Sequence, residues 1–161
     1  MYERILVPTD GSDVAEAAVD HALDLAERDG ATVHALYVVD VDAVEVGLGT
    51  EQVDRLRAGR LGEMDELRER AEAATGRIAE AGAARGVEVI EHTAVGVPHR
   101  IVADYADDHG ADLVVMGSHG RSGVRRALLG SITERVLRTT RRPVLVVDAR
   151  ADSVDSGERS D

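Results

Sequence analysis

Apolar and polar residues along this chain follow two periods in turn, and together they predict alternating strands and helices. Nearly continuous apolar runs occupy Arg4–Pro8, Thr32–Val39, Asp112–Met116 and Pro143–Val147. Such runs are typical of parallel strands that are buried on both faces. The run Val87–Thr93 alternates apolar with polar residues instead, which predicts a strand near an edge of the sheet.

Between these runs, apolar residues recur every three or four positions, which places them on one face of a helix. Serine and aspartate are favourable N-caps, glycine commonly follows the last turn of a helix, and proline suits the first turn. These signals predict four helices: Ser12 or Asp13 to about Asp29, stopped by Gly30; about Glu51 to Arg85, stopped by Gly86; Pro98 to Gly110; and Ile132 to Thr140.

Strands that alternate with helices predict an α/β fold. Because crossovers are right-handed, we expect a single doubly wound domain, with a five-stranded parallel sheet in the order 3-2-1-4-5 and helices on both faces. The domain takes up residues 1–148, and the polar, acidic segment 149–161 is expected to be a disordered tail. Ligands of such sheets bind beyond the carboxyl ends of the strands, where the order reverses, here after the first and fourth strands.

The segment after the fourth predicted strand carries the most informative spacing in the chain. Two residues separate Gly117 from Gly120, and nine more separate that glycine from Gly130 and Ser131. Glycine lets backbone N–H groups approach an anion that a Cβ atom would hold off, and a helix N-terminus adds unpaired donors. The spacing therefore predicts a phosphate-binding loop. We expect Ser131 to cap the last helix, with Glu134 at the capping-box position, or to donate to phosphate; a turn with a cap is the plainer alternative.

Three more residues near this loop carry polar groups that suit a phosphorylated ligand. Arg121 can pair with phosphate oxygens, although a solvated basic face or an intersubunit ion pair explains it as well. Asp10 ends the first strand and can accept a ribose hydroxyl or hold a divalent cation, or else cap the first helix. His119 lies between the loop glycines and is expected to contact a ligand through its backbone N–H. By contrast, His34 is expected to be a core residue with satisfied polar atoms.

Charge narrows the class of protein. The formal net charge is −12, from 31 acidic and 19 basic residues, and every basic residue is arginine. An acidic surface argues against a nucleic-acid partner, and the absence of lysine excludes a Walker A loop. The acid excess and the missing lysine predict adaptation to a salt-rich cytoplasm, where carboxylate repulsion is screened; an ordinary acidic protein is the alternative.

Other patterns predict no further chemistry. There is no cysteine, no histidine pair at the spacing of a zinc helix, and neither a GxSxG nor a GxGxxG sequence. We therefore expect no catalytic residue and no metal held by side chains alone. No apolar run is long enough to span a membrane, and the amino terminus lacks the pattern of a signal peptide, so the prediction is a cytoplasmic protein without a membrane partner.

Four segments together resemble the universal stress protein family: VPTDGS at 7–12, VVMGSHG at 114–120, LLGSITERVL at 128–137 and PVLVV at 143–147. The resemblance extends over about residues 1–148. The joint pattern G-x2-G-x9-G-[ST] is that of the family members that bind ATP, and every position of it is filled here.

The resemblance implies ATP at the switch point, with Mg²⁺ or Mn²⁺, and a homodimer formed through the last strand, Pro143–Val147. It carries contacts over residue by residue: Pro8, Thr9 and Val38 beside the adenine; Asp10, Met116 and Gly117 beside the ribose; Gly120, Gly130, Ser131, Ile132 and Thr133 at the phosphates, with His119 and Arg121 in the same loop.

Three functions stay open for the sequence. The favoured one is an ATP-binding stress-response regulator whose conformation or dimer state responds to nucleotide. The second is a slow ATPase or a nucleotide- or phosphoryl-transferring enzyme, for which only Asp10 or His119 offers a general base. The third is a structural dimer without ligand. ADP, AMP or a cyclic nucleotide suits the same loop.

Overall fold

The computed structural model describes residues 1–40, 65–119 and 129–148. Within these residues, five strands form one parallel sheet in the order β3-β2-β1-β4-β5. The elements are β1 Arg4–Thr9, α1 Asp13–Asp29, β2 Thr32–Asp40, α2 Asp65–Ala84, β3 Val89–Gly96, α3 Pro98–Asp108, β4 Leu113–Gly117, α4 Ser131–Thr139 and β5 Val144–Val147. The predicted α/β fold and its strand order are confirmed.

Helix α1 begins and ends where its sequence predicts. The Ser12 hydroxyl accepts the Ala15 N–H at 3.4 Å, which satisfies one donor of the first turn. Gly30 adopts φ 72°, and its N–H donates to the Ala26 carbonyl, a left-handed ending that glycine makes without steric cost. The buried face of the helix is mostly alanine, so α1 packs close to the sheet.

Side chains that alternate along the strands build a core on each face of the sheet. On one face, Ile5 of β1 and Val115 of β4 pack with Leu23 of α1. On the other, Leu6 of β1 and Val114 of β4 pack with residues of α3 and α4. Burying an aliphatic side chain of this size contributes about 1.5–3 kcal/mol. Helices therefore cover both faces, as predicted.

Two elements have bounds that differ from the predicted ones in the described residues. Strand β3 covers Val89–Gly96 rather than the predicted Val87–Thr93, because its pairing with β2 continues from Val33↔Val89 to Asp40↔Gly96. It does lie at an edge. The predicted long helix is present as α2 from Asp65, and its earlier part, 51–64, lies outside the described residues, as does the tail 149–161. None of the helices in the described ranges has the length and apolar character to cross a membrane.

Candidate functional site at the switch point

The first and fourth strands end side by side, because β1 lies between β2 and β4. The chain leaves β1 in a tight turn, with Gly11 at φ 77°. Within that turn, the Thr9 Oγ1 accepts the Gly11 N–H at 3.0 Å and the Asp10 Oδ1 accepts the Ser12 N–H at 2.9 Å. One carboxylate oxygen of Asp10 therefore shapes the turn that leads into α1, whereas the N-cap of that helix is Ser12 and not Asp10.

Gly117 ends β4 where that strand packs against the start of α1. A Cβ atom at this position would lie 2.7 Å from Val14 Cγ1 and 3.2 Å from the Val14 backbone. A side chain at this position would force the helix away from the sheet, so close packing alone accounts for glycine here. The same packing brings the N-terminus of α1 to the end of β4.

The two sides of the glycine loop are joined at its base. The Gly130 N–H donates to the Ser118 carbonyl at 2.7 Å. A Cβ atom on Gly130 would lie 3.0 Å from the Cα of His119 and 3.1 Å from its Cβ. The backbone after β4 and the backbone before α4 therefore run in close contact. Gly120 and Arg121 lie in segment 120–128, outside the described residues.

The N-terminus of α4 differs from the prediction by one residue. The N-cap is Gly130, with φ −70° and ψ 160°, and not Ser131. The prediction was wrong because the Gly130 carbonyl already accepts the first helical hydrogen bond, from the Glu134 N–H at 3.0 Å, which makes Ser131 the first helical residue. The N–H groups of Ser131, Ile132 and Thr133 precede that bond and point out of the helix end, where they form an anion-binding geometry.

The side chain of Thr133 is buried and forms a hydrogen bond within the protein. It is 3% exposed, and its hydroxyl donates to the Gly117 carbonyl at 2.8 Å. Only the backbone N–H of Thr133 can therefore face a ligand. Ser118, which the sequence analysis passed over, is also buried, and its N–H donates to the Val147 carbonyl at 2.9 Å. The sequence could have indicated Ser118, because it is a small polar residue between the candidate site residues Gly117 and His119.

The remaining predicted residues divide between the core and the switch point. Met116 is 6% exposed and packs in the core cluster that covers α3 and α4. Pro8 and Thr9 lie opposite Leu36 and Tyr37 in the register of β1 and β2. Val38, the next residue of β2, is half-buried. The three predicted base-side residues, Pro8, Thr9 and Val38, are therefore close neighbours on two adjoining strands. The imidazole of His119 is within 3.0 Å of the Ser118 Oγ.

The chemistry that this arrangement offers is anion binding. The donors are backbone N–H groups at the start of α4, which need no titratable side chain. Among the described residues, no cluster of three or more histidine, aspartate or glutamate side chains is placed to hold a metal ion.

A cavity of about 530 Å³ lies at the opposite end of the sheet and contains none of the predicted site residues. It is lined at the amino ends of the strands by residues that include Arg4, His34 and Glu88. His34 is 7% exposed, and its Nδ1 is 2.9 Å from the Tyr105 hydroxyl, so its prediction as a satisfied core residue is confirmed. The candidate site at the other end is thus defined by a helix N-terminus and a topological switch point, not by this cavity.

These features define a doubly wound α/β domain with its candidate ligand site beyond the carboxyl ends of β1 and β4. The amino-acid sequence of residues 1–148 matches the family model of the universal stress protein family. The chain belongs to that family, as its motifs indicated.

Individual relatives agree with this assignment. The universal stress protein MJ0531 of Methanocaldococcus jannaschii is 39% identical over 147 residues, which cover 91% of this chain and 82% of that protein. The solved structure of protein MJ0577 matches with a TM-score of 0.75 and 34% identity, over 92% of this chain and 96% of that one. A universal stress protein solved in complex with cAMP matches with a TM-score of 0.63 and 26% identity, over 91% and 97%.

Proposed function

We propose that this protein is an ATP-binding stress-response regulator that holds the nucleotide at the carboxyl ends of β1, β2 and β4. The observation that carries the proposal is the position of the α4 N-terminus. Its three leading N–H groups, from Ser131 to Thr133, precede the first helical bond. The Thr133 hydroxyl ties this helix end to the end of β4. A relative solved with cAMP supports an adenine nucleotide as the ligand.

Several of the proposed contacts would be made by the backbone. Thr133 would bind phosphate through its backbone N–H, because its hydroxyl is used by Gly117. Ser131 keeps both its N–H and its hydroxyl for phosphate, because Gly130 is the N-cap and no side chain caps the helix. Met116 would line the ribose with its backbone, because its side chain is buried in the core. Mg²⁺ or Mn²⁺ would be carried in by the phosphates, which supply oxygen ligands of their own.

Thermal unfolding with and without Mg-ATP tests the proposal. Binding to the folded state alone stabilises it by about 2.7 kcal/mol at 100-fold excess over Kd. The variant Gly130→Val should abolish this rise, because a side chain at 130 meets the His119 backbone at 3.0 Å and displaces the helix end. Gly76→Ala in α2 is the control, since its Cβ would meet only the Glu91 carboxylate, at 3.9 Å, and it should respond to Mg-ATP like the parent protein.

Two outcomes would contradict the proposal. A parent protein that shows no rise with Mg-ATP would leave the structural dimer as the better function. Sustained phosphate release near 1 s⁻¹ that is lost in Asp10→Asn would make the protein an enzyme. Asparagine is the informative replacement here, because its side-chain oxygen can still accept the Ser12 N–H while the charge is removed.

We also propose that two copies of the chain pair through β5. This strand lies at an edge of the sheet, and its Leu145 is 38% exposed. Leu137 on the neighbouring helix α4 is 40% exposed. An unpaired edge with apolar side chains favours association with a second strand, and a two-fold dimer would pair the edge with itself.

A further inference from the structure

Four ring side chains meet toward the amino ends of β2 and β3, away from the candidate nucleotide site. His34 comes from β2, His92 from β3, Tyr105 from α3, and His109 follows α3. The Tyr105 ring stacks on His109 with centroids 3.8 Å apart and planes inclined by 15°. The centroid of His92 is 5.2 Å from that of Tyr105, and the Tyr105 hydroxyl is 2.9 Å from His34 Nδ1. We call these residues the histidine–tyrosine cluster.

The cluster fastens the end of α3 to the sheet. Tyr105 and His34 are each more than nine-tenths buried, with 7% exposure. His109 is exposed and follows the last turn of α3, where its Nδ1 lies 3.1 Å from the Tyr105 carbonyl oxygen. A single phenol thus contacts imidazoles from two strands and from its own helix, so the protonation of these rings bears directly on how α3 packs.

Charged groups line the cavity beside His34. Arg4 comes from β1, Glu88 immediately precedes β3, and Asp107 and Asp108 lie at the end of α3. Asp107 is paired with Arg142, Nε to Oδ1 at 3.1 Å. The cavity of about 530 Å³ is bordered by His34 and His109 as well as by these acids. Solvent can therefore deliver protons to His34 without unfolding of the core.

Burial lowers the pKa of His34, and the nearby His109 and Arg4 lower it further, while Glu88 acts in the opposite direction. Burial raises the pKa of Tyr105, which keeps the phenol protonated. A histidine of the unfolded chain binds its proton near pH 6.5. Below that pH the unfolded state takes up the proton more readily than the folded state, so stability is complete above about pH 6.5 and falls as the pH decreases.

We propose that the histidine–tyrosine cluster is a proton-responsive latch that holds α3 against β2 and β3 at neutral pH and releases it on acidification. Neutral His34 is bonded to Tyr105. On acidification His34 gains a charge in a buried site, where the ring centroid of His109 is 5.7 Å away and the Tyr105 hydroxyl is 2.9 Å from Nδ1. The contact between α3 and the sheet then loosens. This inference does not depend on the proposed nucleotide binding.

Histidine-resolved NMR titration of the full chain between pH 8 and 5, with urea unfolding over the same range, tests the latch. His34→Asn removes the titrating group and keeps a polar atom near the Tyr105 hydroxyl, and its missing signal assigns His34. The parent protein should lose urea resistance as the pH falls, and His34→Asn should flatten that dependence. The control His21→Asn, on the exposed face of α1, should keep the parent's dependence.

The variant His109→Asn tests the same proposal if His34→Asn does not fold. His109→Asn alters an exposed ring, and it should raise the titration midpoint of His34 because a repelling charge is removed. Hydrogen-exchange protection of α3 relative to α1 should also fall on acidification in the parent protein. The proposal is overturned if the pKa of His34 is not below that of a histidine in the unfolded chain, if His109→Asn leaves the His34 midpoint unchanged, or if α1 and α3 lose protection equally.

Discussion

At the scale of single residues, the buried hydroxyl of Thr133 joins the two elements that border the candidate nucleotide site. It donates to the Gly117 carbonyl at 2.8 Å, across 16 positions of sequence. A carbonyl oxygen that loses its donor in a water-poor environment costs the full desolvation of that group. The start of α4, and with it the orientation of the leading N–H groups, is therefore held by this side chain as well as by the Gly130–Ser118 backbone bond.

Thr133→Val keeps the shape of the side chain and removes the donor. We expect the free energy of unfolding to drop by about 1–3 kcal/mol, measured by urea denaturation. Thr139→Val is the control: its hydroxyl donates to the Arg135 carbonyl at 2.6 Å, but the site is exposed and water replaces the bond. Equal losses in the two variants would show that the Gly117 contact has no special role.

The same contact explains why the sequence predicted only part of the site. Glycine spacing predicted a phosphate-binding loop, and in the structure the backbone after β4 and the backbone before α4 are in contact, since Gly130 and Ser118 are hydrogen-bonded. The residue type shows that Thr133 has a hydroxyl group, but it does not show which acceptor the hydroxyl bonds. The acceptor, the Gly117 carbonyl, depends on where β4 ends. For the same reason, the choice between Gly130 and Ser131 as the N-cap required the structure.

At the scale of secondary-structure elements, two glycines of α2 have opposite surroundings. Gly82 faces the sheet, and a Cβ atom there would collide with Val89 Cγ2 and lie 3.1 Å from the Val87 carbonyl oxygen. Gly76 has only the Glu91 carboxylate, at 3.9 Å, within reach of a Cβ atom. Close packing requires glycine at the first position, whereas the second bears only the entropic cost of glycine in a helix.

Alanine substitutions should separate these two cases in thermal unfolding. Gly76→Ala should stabilise the protein by about 0.5–1 kcal/mol. Gly82→Ala should destabilise it by about 1–3 kcal/mol, as extra methyl groups do in filled interiors. A rise in melting temperature for Gly82→Ala would mean that α2 can move away from β3 without loss.

Element order was predictable because buried strands and amphipathic helices leave distinct periods in the sequence. The apolar runs that became β1, β2 and β4 are each buried between neighbouring strands, so pattern and structure agree to within a residue or so. The bounds of β3 were not predictable from its own residues. An edge strand extends as far as its single partner pairs with it, and β2 pairs as far as Asp40↔Gly96.

At the scale of the whole molecule, the two edges of the sheet carry similar apolar exposure but different neighbours. Leu145 of β5 is 38% exposed and Ile90 of β3 is 41% exposed. Only the β5 edge lies beside β4 and its adjoining helix α4.

The surface bears ion pairs such as Arg68–Glu72 and Arg138–Glu134. Such exposed pairs contribute little to stability individually, and adaptation to high salt stays a prediction.

A charge placed on each edge tests the proposed dimer. Leu145→Asp should convert a dimer into a monomer in sedimentation experiments, because a carboxylate cannot be buried unpaired at an interface. Ile90→Asp is the matched control and should leave the mass unchanged. A parent protein that sediments as a monomer, or a dimer that dissociates in Ile90→Asp instead, would rule out the β5 interface.

The central position of β1 has a consequence for biosynthesis. Among the five strands of the sheet β1 is translated first, yet one of its two neighbours, β4, follows only after β2, α2, β3 and α3. A nascent chain can pair β1, β2 and β3 before β4 has been synthesised, and the edge of β1 that pairs with β4 is then still exposed. Pairing of β4 with β1 is then the slow step, because the two strands are far apart in the sequence. A chaperone would be most useful before this pairing forms, while the edge of β1 is exposed.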